Sequence, residues 1–172
     1  MESIPFDKRS GKIWFDGKPV EWSDVKIHVL SHGLHYASCV FEGERVYDGE
    51  IFKLEEHTER LFHSASRMGF KIPYTPELLN KASKEIIAIQ KVKNGYVRPV
   101  AWRGSEMMAI SAQQTKIHVA IAAWEWGSYF DPNLKLKGIK LDISKWRRPA
   151  PDTIPWDTKA SGLYMICTLS KH

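Results

Sequence analysis

Alternating apolar and polar residues in the first third of the chain predict two β-hairpins. In the first, residues 12–15 and 19–22 flank Asp16-Gly17, and in the second, residues 39–47 and 50–53 flank Asp48-Gly49. Asp-Gly favours a tight turn because both of its positions accept positive φ angles. Residues 96–102 and 117–124 are predicted to form two further strands, and the second is apolar enough to lie in the centre of a sheet.

Two segments between these strands have the three-to-four residue periodicity of helices. The periodic positions of the first segment, 54–68, are Leu54, His57, Leu61, Ala65 and Met68. Gly69 is suited to end this helix. The second helix is predicted to run to about Lys91, because Thr75 can cap it and Pro76 suits its first position. Strands and helices are segregated along the chain, which predicts an α+β domain.

The last part of the chain has a different organisation. Residues 127–136 contain Asp-Pro-Asn and are predicted to form a linker, followed by a strand at 138–144, a proline-rich loop at 147–156 and a helix at 160–169. These few elements cannot bury a core of their own. The predicted organisation is therefore a small α+β domain over 1–127, an interdomain linker over 128–136, and the incomplete beginning of a larger domain over 137–172.

Composition narrows the class of protein. The chain has 172 residues, of which 43% are hydrophobic and 26% charged, as in globular proteins. Its apolar runs are far shorter than the roughly 20 residues that a membrane span needs. Residues 1–12 do not resemble a secretory signal. We therefore expect a cytoplasmic protein without membrane contact, in which Cys39 and Cys167 are reduced, buried thiols.

The positive charge and the histidines raise the question of nucleic-acid or metal binding, but the positions of these residues along the sequence favour neither. The net charge is +5, but the helical basic residues are diluted by acids, so a solvated helix face is favoured over a nucleic-acid surface. Five histidines, at positions 28, 32, 35, 57 and 63, lack the surrounding cysteine or carboxylate ligands of a metal site. We expect no metal and no nucleic acid. The GxGxxG, P-loop and GxSxG motifs are also absent from the sequence.

A few residues could carry chemistry. Lys159 lies between a proline-rich loop and a predicted helix start, where a lysine nucleophile could be held, although an ordinary surface lysine fits the pattern better. Tyr96 and Arg98 share one face of a strand and could receive a carboxylate; the alternative is a sheet-edge arginine paired with an acid. Arg60 could be a phosphate ligand or an exposed partner of Glu56.

Taken in order, these segments resemble the branched-chain amino acid aminotransferases, which are class IV pyridoxal-phosphate enzymes. The matching segments are 13–17 (IWFDG), 29–36 (VLSHGLHY), 40–43 (VFEG), 57–61 (HTERL), 96–99 (YVRP), 126–127 (WG), 148–155 (RPAPDTIP) and 159–164 (KASGLY). Each is commonplace alone, but their common order and spacing are specific. The resemblance implies a fold type IV aminotransferase, with its small domain and the start of its larger cofactor-binding domain.

The resemblance also implies an activity and a site. The activity is transamination of Leu, Ile or Val with 2-oxoglutarate, in a homodimer or larger homo-oligomer that uses pyridoxal 5′-phosphate. Lys159 would form the Schiff base with the cofactor and move the substrate proton, and Arg60 would contact the cofactor phosphate. The residues implied to bind substrate are Tyr96 and Arg98 for carboxylates, Phe41, Trp126 and Tyr164 as apolar walls, and Tyr36, presented to the neighbouring subunit.

Some features depart from the family pattern. Ala37 replaces a common glycine, and Glu44 stands where an apolar residue is common. Chains of the family continue well beyond the position of His172, so the sequence has the length of a truncated form, and we expect it to be inactive by itself. The alternatives are a D-amino acid transaminase, an aminodeoxychorismate lyase and a non-catalytic truncated dimerisation module.

Overall fold

A computed structural model describes residues 4–127 and 136–172. Within them, seven strands form one antiparallel sheet. The strands are β1 (Lys12–Phe15), β2 (Lys18–Glu21), β3 (Cys39–Phe41), β4 (Glu44–Tyr47), β5 (Glu50–Ile51), β6 (Gly95–Arg103) and β7 (Ile117–Glu125). The α-helices are α1 (His32–Tyr36), α2 (Leu54–Arg67), α3 (Pro76–Ile89) and α4 (Met165–Lys171). The α+β prediction for the first part of the chain is confirmed.

The sheet has the order β2-β1-β7-β6-β4-β5, and β3 also pairs with β6. Both predicted hairpin turns are present, since Asp16 and Gly17 have φ of 44° and 103°, and Asp48 and Gly49 have φ of 49° and 83°. The apolar strand β7 lies between β1 and β6, which confirms its predicted central place.

The prediction of one continuous strand over 39–47 is wrong, because the strand is interrupted at Glu42-Gly43 and forms β3 and β4. β3 and β4 pair with β6 in a single register, because Phe41 lies opposite Val100 and Glu44 lies opposite Val97. Pro99 faces the gap. The N–H of Glu42 donates to the carbonyl of Pro99 at 2.8 Å, but a proline has no N–H to return the bond. The ladder therefore lacks one rung where the chain passes from β3 to β4.

The two long helices begin where their sequences predict and end within about two residues of the predicted positions. The Thr75 hydroxyl accepts a hydrogen bond from the N–H of Leu78, and Pro76 is the first residue of α3. Gly69, with φ of 73°, follows the end of α2. Helix α3 ends at Ile89, slightly earlier than predicted. Both helices bury one face against the same side of the sheet.

The two faces of the sheet have different surroundings. The helix face holds the main core, with residues such as Leu61, Ile86 and Val97 almost fully buried. The opposite face holds a smaller cluster around Trp22 and Trp102. We call it the open face, because α2 and α3 do not cover it. Side chains of β6 alternate between these faces.

The C-terminal part departs most from prediction. Residues 138–144 do not form a strand, and no described strand pairs with them, so their apolar side chains remain exposed. The helix predicted over 160–169 is a 3-10 turn, Ser161–Tyr164, followed by α4. Cys167 is exposed, so its predicted burial is wrong, whereas Cys39 is half-buried; both are free.

The predicted linker lies outside the described residues except at Leu136, and the domain boundaries remain a prediction. None of the described helices combines the length and hydropathy that a membrane crossing requires.

Candidate active site

Lys159 is held by backbone contacts to two elements. Its carbonyl accepts a hydrogen bond from the N–H of Phe41 at 3.2 Å, and its own N–H donates to Ser64 Oγ on α2 at 3.0 Å. The next residue, Ala160, forms an antiparallel bridge with Val40. The segment therefore lies along the edge of β3, and the proline-rich loop before it delivers Lys159 to the sheet.

The Lys159 side chain lies on the open face between two aromatic rings. Its Nζ is 2.6 Å from Tyr164 Oη, 4.8 Å from the centre of the Phe41 ring and 4.7 Å from that of Tyr164. The two rings meet edge to face. No carboxylate within the described ranges forms an ion pair with this ammonium group. An amine so placed is available to a ligand.

Arg98 and Tyr96 lie on the same face of β6, as predicted. Arg98 Nη2 is 3.4 Å from Tyr96 Oη, and its guanidinium lies 4.6 Å from the centre of the Phe41 ring. Strand β6 is internal, with β7 on one side and β3 and β4 on the other. The alternative of a sheet-edge arginine paired with an acid does not hold within the described residues, where Arg98 forms no salt bridge.

An aromatic wall continues the site away from Lys159. The Tyr96 ring is 5.4 Å from Trp124 and 5.0 Å from Trp126, measured between ring centres. The backbone of Trp126 is fixed as well, because its carbonyl accepts a hydrogen bond from Arg45 at 3.1 Å. These rings offer an apolar surface beside the cationic Arg98.

Arg60 is not paired with Glu56, which forms its ion pair with Lys53 instead. Its Nε and Nη2 donate to the two carboxylate oxygens of Glu42 at 2.6 and 2.8 Å. His57 Nδ1 is 2.8 Å from the same carboxylate. Burial alone would raise the pKa of Glu42, but the hydrogen bonds from Arg60 and His57 lower it below its ordinary value. This carboxylate is therefore ionised although it is fully buried.

Glu44, the next residue on the same face as Glu42, has the opposite environment. It is also fully buried, and neither of its carboxyl oxygens has a hydrogen-bond partner among the described residues. Burial, and secondarily the charge of Glu42, raise its pKa to about 8. Glu44 is therefore a neutral acid at pH 7.

The structure gathers most of the residues that the resemblance implied. Lys159, Phe41, Tyr164, Arg98 and Tyr96 are linked by direct contacts, and the Trp126 ring adjoins Tyr96. Arg60 is close enough to Tyr164 for an electrostatic interaction.

Tyr36 is different. It is the last residue of α1 and is 46% exposed, and its ring packs against His32 at 4.6 Å.

Sequence reasoning assigned no role to Glu42. The signal was available in part, because His57 and Arg60 lie three positions apart and share one face of α2. The missing information was that β3 brings a buried carboxylate beneath that face.

A sequence profile of the family described as "Amino-transferase class IV" matches residues 39–167, which include every element of this cluster. The chain belongs to the class IV aminotransferases. Its curated relatives in that family include the branched-chain-amino-acid aminotransferase of Pseudomonas aeruginosa, 40% identical over 94% of this chain and 54% of the relative. The corresponding enzyme of Escherichia coli is 37% identical over 94% of this chain and 54% of the relative.

Solved structures agree with this family membership. A branched-chain amino acid aminotransferase from T.th. with pyridoxamine 5′-phosphate superposes with a TM-score of 0.90 at 36% identity, covering 95% of this chain and 55% of the other. An Escherichia coli structure gives a TM-score of 0.84 at 34% identity, covering 94% and 55%. The chain thus spans about half the length of the class IV aminotransferases it matches.

Gly43 controls the position of Tyr96 in this site. A methyl group on Gly43 would overlap the Tyr96 hydroxyl and lie 2.6 Å from its Cζ, so the ring would have to shift and its packing on Trp124 and Trp126 would change. We expect Gly43→Ala to change the near-ultraviolet circular dichroism, which reports coupled aromatic rings, and to leave the far-ultraviolet spectrum intact. Gly127→Ala adds the same methyl group at a position where no described residue lies within 4 Å. Matching near-ultraviolet spectra for the two variants would contradict this view of Gly43.

Proposed function

We propose that this chain forms part of a pyridoxal-phosphate-dependent branched-chain amino acid aminotransferase. The enzyme would exchange the amino group between Leu, Ile or Val and 2-oxoglutarate. The single observation that carries the proposal is the position of Lys159, whose Nζ lies between the Phe41 and Tyr164 rings on the open face. Relatives near 40% identity that bear this activity in their names support it.

The residues present fit the cofactor. Its aldehyde requires an amine without a carboxylate partner, and Lys159 Nζ contacts the Tyr164 hydroxyl. Its phosphate requires a cation, and Arg60 is half-exposed with one terminal nitrogen outside the bonds to Glu42 among the described residues. Lys159 and Arg60 are therefore proposed to hold it. When bound, pyridoxal phosphate supplies an electron sink for the substrate carbanion.

The protein side chains supply the remaining functions. Lys159 Nζ would carry the proton between the substrate α-carbon and C4′ of the cofactor, acting as general base and then as general acid. The Tyr164 hydroxyl, 2.6 Å away, orients this amine by a hydrogen bond. The aromatic rings on either side limit the directions in which the amine can move.

The two kinds of substrate require a pocket with mixed chemistry. A branched aliphatic side chain packs against the walls formed by Phe41, Tyr164 and Trp126. The side-chain carboxylate of glutamate is received by the Arg98 guanidinium and the Tyr96 hydroxyl, which are 3.4 Å apart. Because Arg98 already lies over the Phe41 ring, one site can present a charged group and an apolar surface in turn.

Assembly and organisation complete the proposal. Tyr36 is exposed on α1 and is proposed to reach the site of a second subunit in a homodimer or larger homo-oligomer. The small domain would comprise 1–127, joined by 128–136 to the larger cofactor domain that begins at 137. The cytoplasm is the proposed location.

A substrate panel on the full-length protein tests the function. With 2-oxoglutarate as acceptor, we expect glutamate to form from L-leucine, L-isoleucine and L-valine, and not from D-alanine. Preference for D-alanine would assign a D-amino acid transaminase, and release of pyruvate from aminodeoxychorismate would assign a lyase. No turnover by a preparation that carries bound cofactor would favour a non-catalytic role.

A further inference from the structure

We infer that Glu42 is a positioning residue, which holds the Arg60 guanidinium at the rim of the site in the orientation that a phosphate group requires. The inference rests on the proposed function, since it assigns Arg60 a phosphate ligand. It adds a residue to which neither the sequence nor the family resemblance gave a role.

The geometry is that of a clamp. Glu42 accepts bonds from Arg60 Nε at 2.6 Å and Nη2 at 2.8 Å, the two-point arrangement that fixes the plane of a guanidinium group. His57 Nδ1, at 2.8 Å, and the N–H of Gly43, at 3.3 Å, hold the carboxylate from other directions. With four contacts, the Glu42 carboxylate has little freedom to rotate.

Glu42 and Arg60 differ in their exposure to solvent. The Glu42 side chain is 0% exposed and the Arg60 side chain is 50% exposed. A buried carboxylate cannot itself meet a ligand, but it fixes one edge of a guanidinium whose other edge faces outward. Glu42 lies between Phe41 and Gly43 in the sequence, and both of these residues are part of the candidate active site. The pair of Glu42 and Arg60 therefore connects the proposed phosphate ligand to the residues proposed to bind substrate.

A comparison of two ligands separates positioning from general support of the fold. Pyridoxal 5′-phosphate and pyridoxal differ only in the phosphate group. In the full-length protein, we expect Glu42→Gln to weaken binding of pyridoxal 5′-phosphate by about tenfold or more and to leave binding of pyridoxal nearly unchanged. Dissociation constants from absorbance titration measure both, without any need for turnover.

Matched variants define the controls. Glu59→Gln removes a carboxylate from an exposed position of α2, the helix that carries Arg60. This variant should leave the dissociation constants of both ligands unchanged. Glu42→Asp keeps the charge and withdraws it from Arg60, so it should also lower the preference for the phosphorylated ligand, and it provides a second test if the glutamine variant folds poorly. In an Arg60→Ala background, Glu42→Gln should have no further effect on this preference.

The outcomes distinguish this inference from the function on which it rests. If the unmodified protein binds both ligands equally, the phosphate role of Arg60 and the proposed cofactor fail. If it prefers pyridoxal 5′-phosphate and a folded Glu42 variant keeps that preference, only the positioning role of Glu42 is overturned. Equal loss of both ligands in that variant would reduce Glu42 to a support of the fold.

Discussion

Exchange of Lys159 for alanine should abolish covalent capture of pyridoxal phosphate and leave the fold intact. Lys159 offers an amine positioned by Tyr164 and Phe41, and alanine has no nitrogen to react. Mass spectrometry after borohydride reduction of the full-length protein should show the added cofactor fragment in the unmodified protein and no addition in the variant. The transamination rate should fall by several orders of magnitude.

Stability should be nearly unaffected by this substitution. Within the described residues, the Lys159 ammonium takes part in no salt bridge, and the backbone bonds to Phe41 and Ser64 do not depend on the side chain. Lys145→Ala is the matched control, because Lys145 also lies over an aromatic ring, 5.5 Å from the centre of Trp146. Retention of the cofactor fragment in the Lys159 variant would assign the attachment to another lysine.

Replacement of Glu44 by leucine should raise the free energy of unfolding at pH 7 by about 3 kcal/mol. The carboxyl group is fully buried without a described hydrogen-bond partner, in a place that a side chain of similar size could fill with apolar atoms. Its folded pKa is raised to about 8 from an ordinary value of 4.5, chiefly by burial. The unfolded chain therefore releases a proton that the folded chain retains.

The protonation of Glu44 makes the free energy of unfolding depend on pH. The contribution of Glu44 to stability is greatest below pH 4.5, falls by about 1.4 kcal/mol per pH unit as the pH rises towards about 8, and then levels off. Urea unfolding of the unmodified protein and of Glu44→Leu across this range should show a difference that widens with pH. Glu50→Leu, on the exposed part of β5, should show no such widening. A constant difference would mean that Glu44 is ionised in the folded protein.

Local signals in the sequence were sufficient for the hairpins and the long helices. Asp16-Gly17 and Asp48-Gly49 determine their turns through positive φ angles, and Thr75-Pro76 determines the start of α3. The interruption at Glu42-Gly43 could not be predicted from its own residues, because its cause is Pro99 on the neighbouring strand. Residues 138–144 have a strand-like pattern, but a strand also needs a partner, and none lies beside them in the described part of the chain.

The candidate site was predictable by resemblance more than by physics. Spacing alone favoured a surface role for Lys159, and only the order of the motifs assigned it to a cofactor. The Tyr96 and Arg98 pair was predicted from strand alternation and is found on one face. The bond between Arg60 and Glu42 depends on how α2 packs over β3, a tertiary relation that neither segment encodes by itself.

The alternation along β6 separates two properties that evolution or engineering could change independently. Tyr96, Arg98 and Val100 lie on the open face, whereas Val97 and Ala101 are buried beneath the helices. Libraries that vary only the first set would explore new substrate preferences on an unaltered scaffold. Libraries that vary only the second set would change thermal stability without changing substrate selectivity. The two properties can therefore be altered almost independently within a single strand.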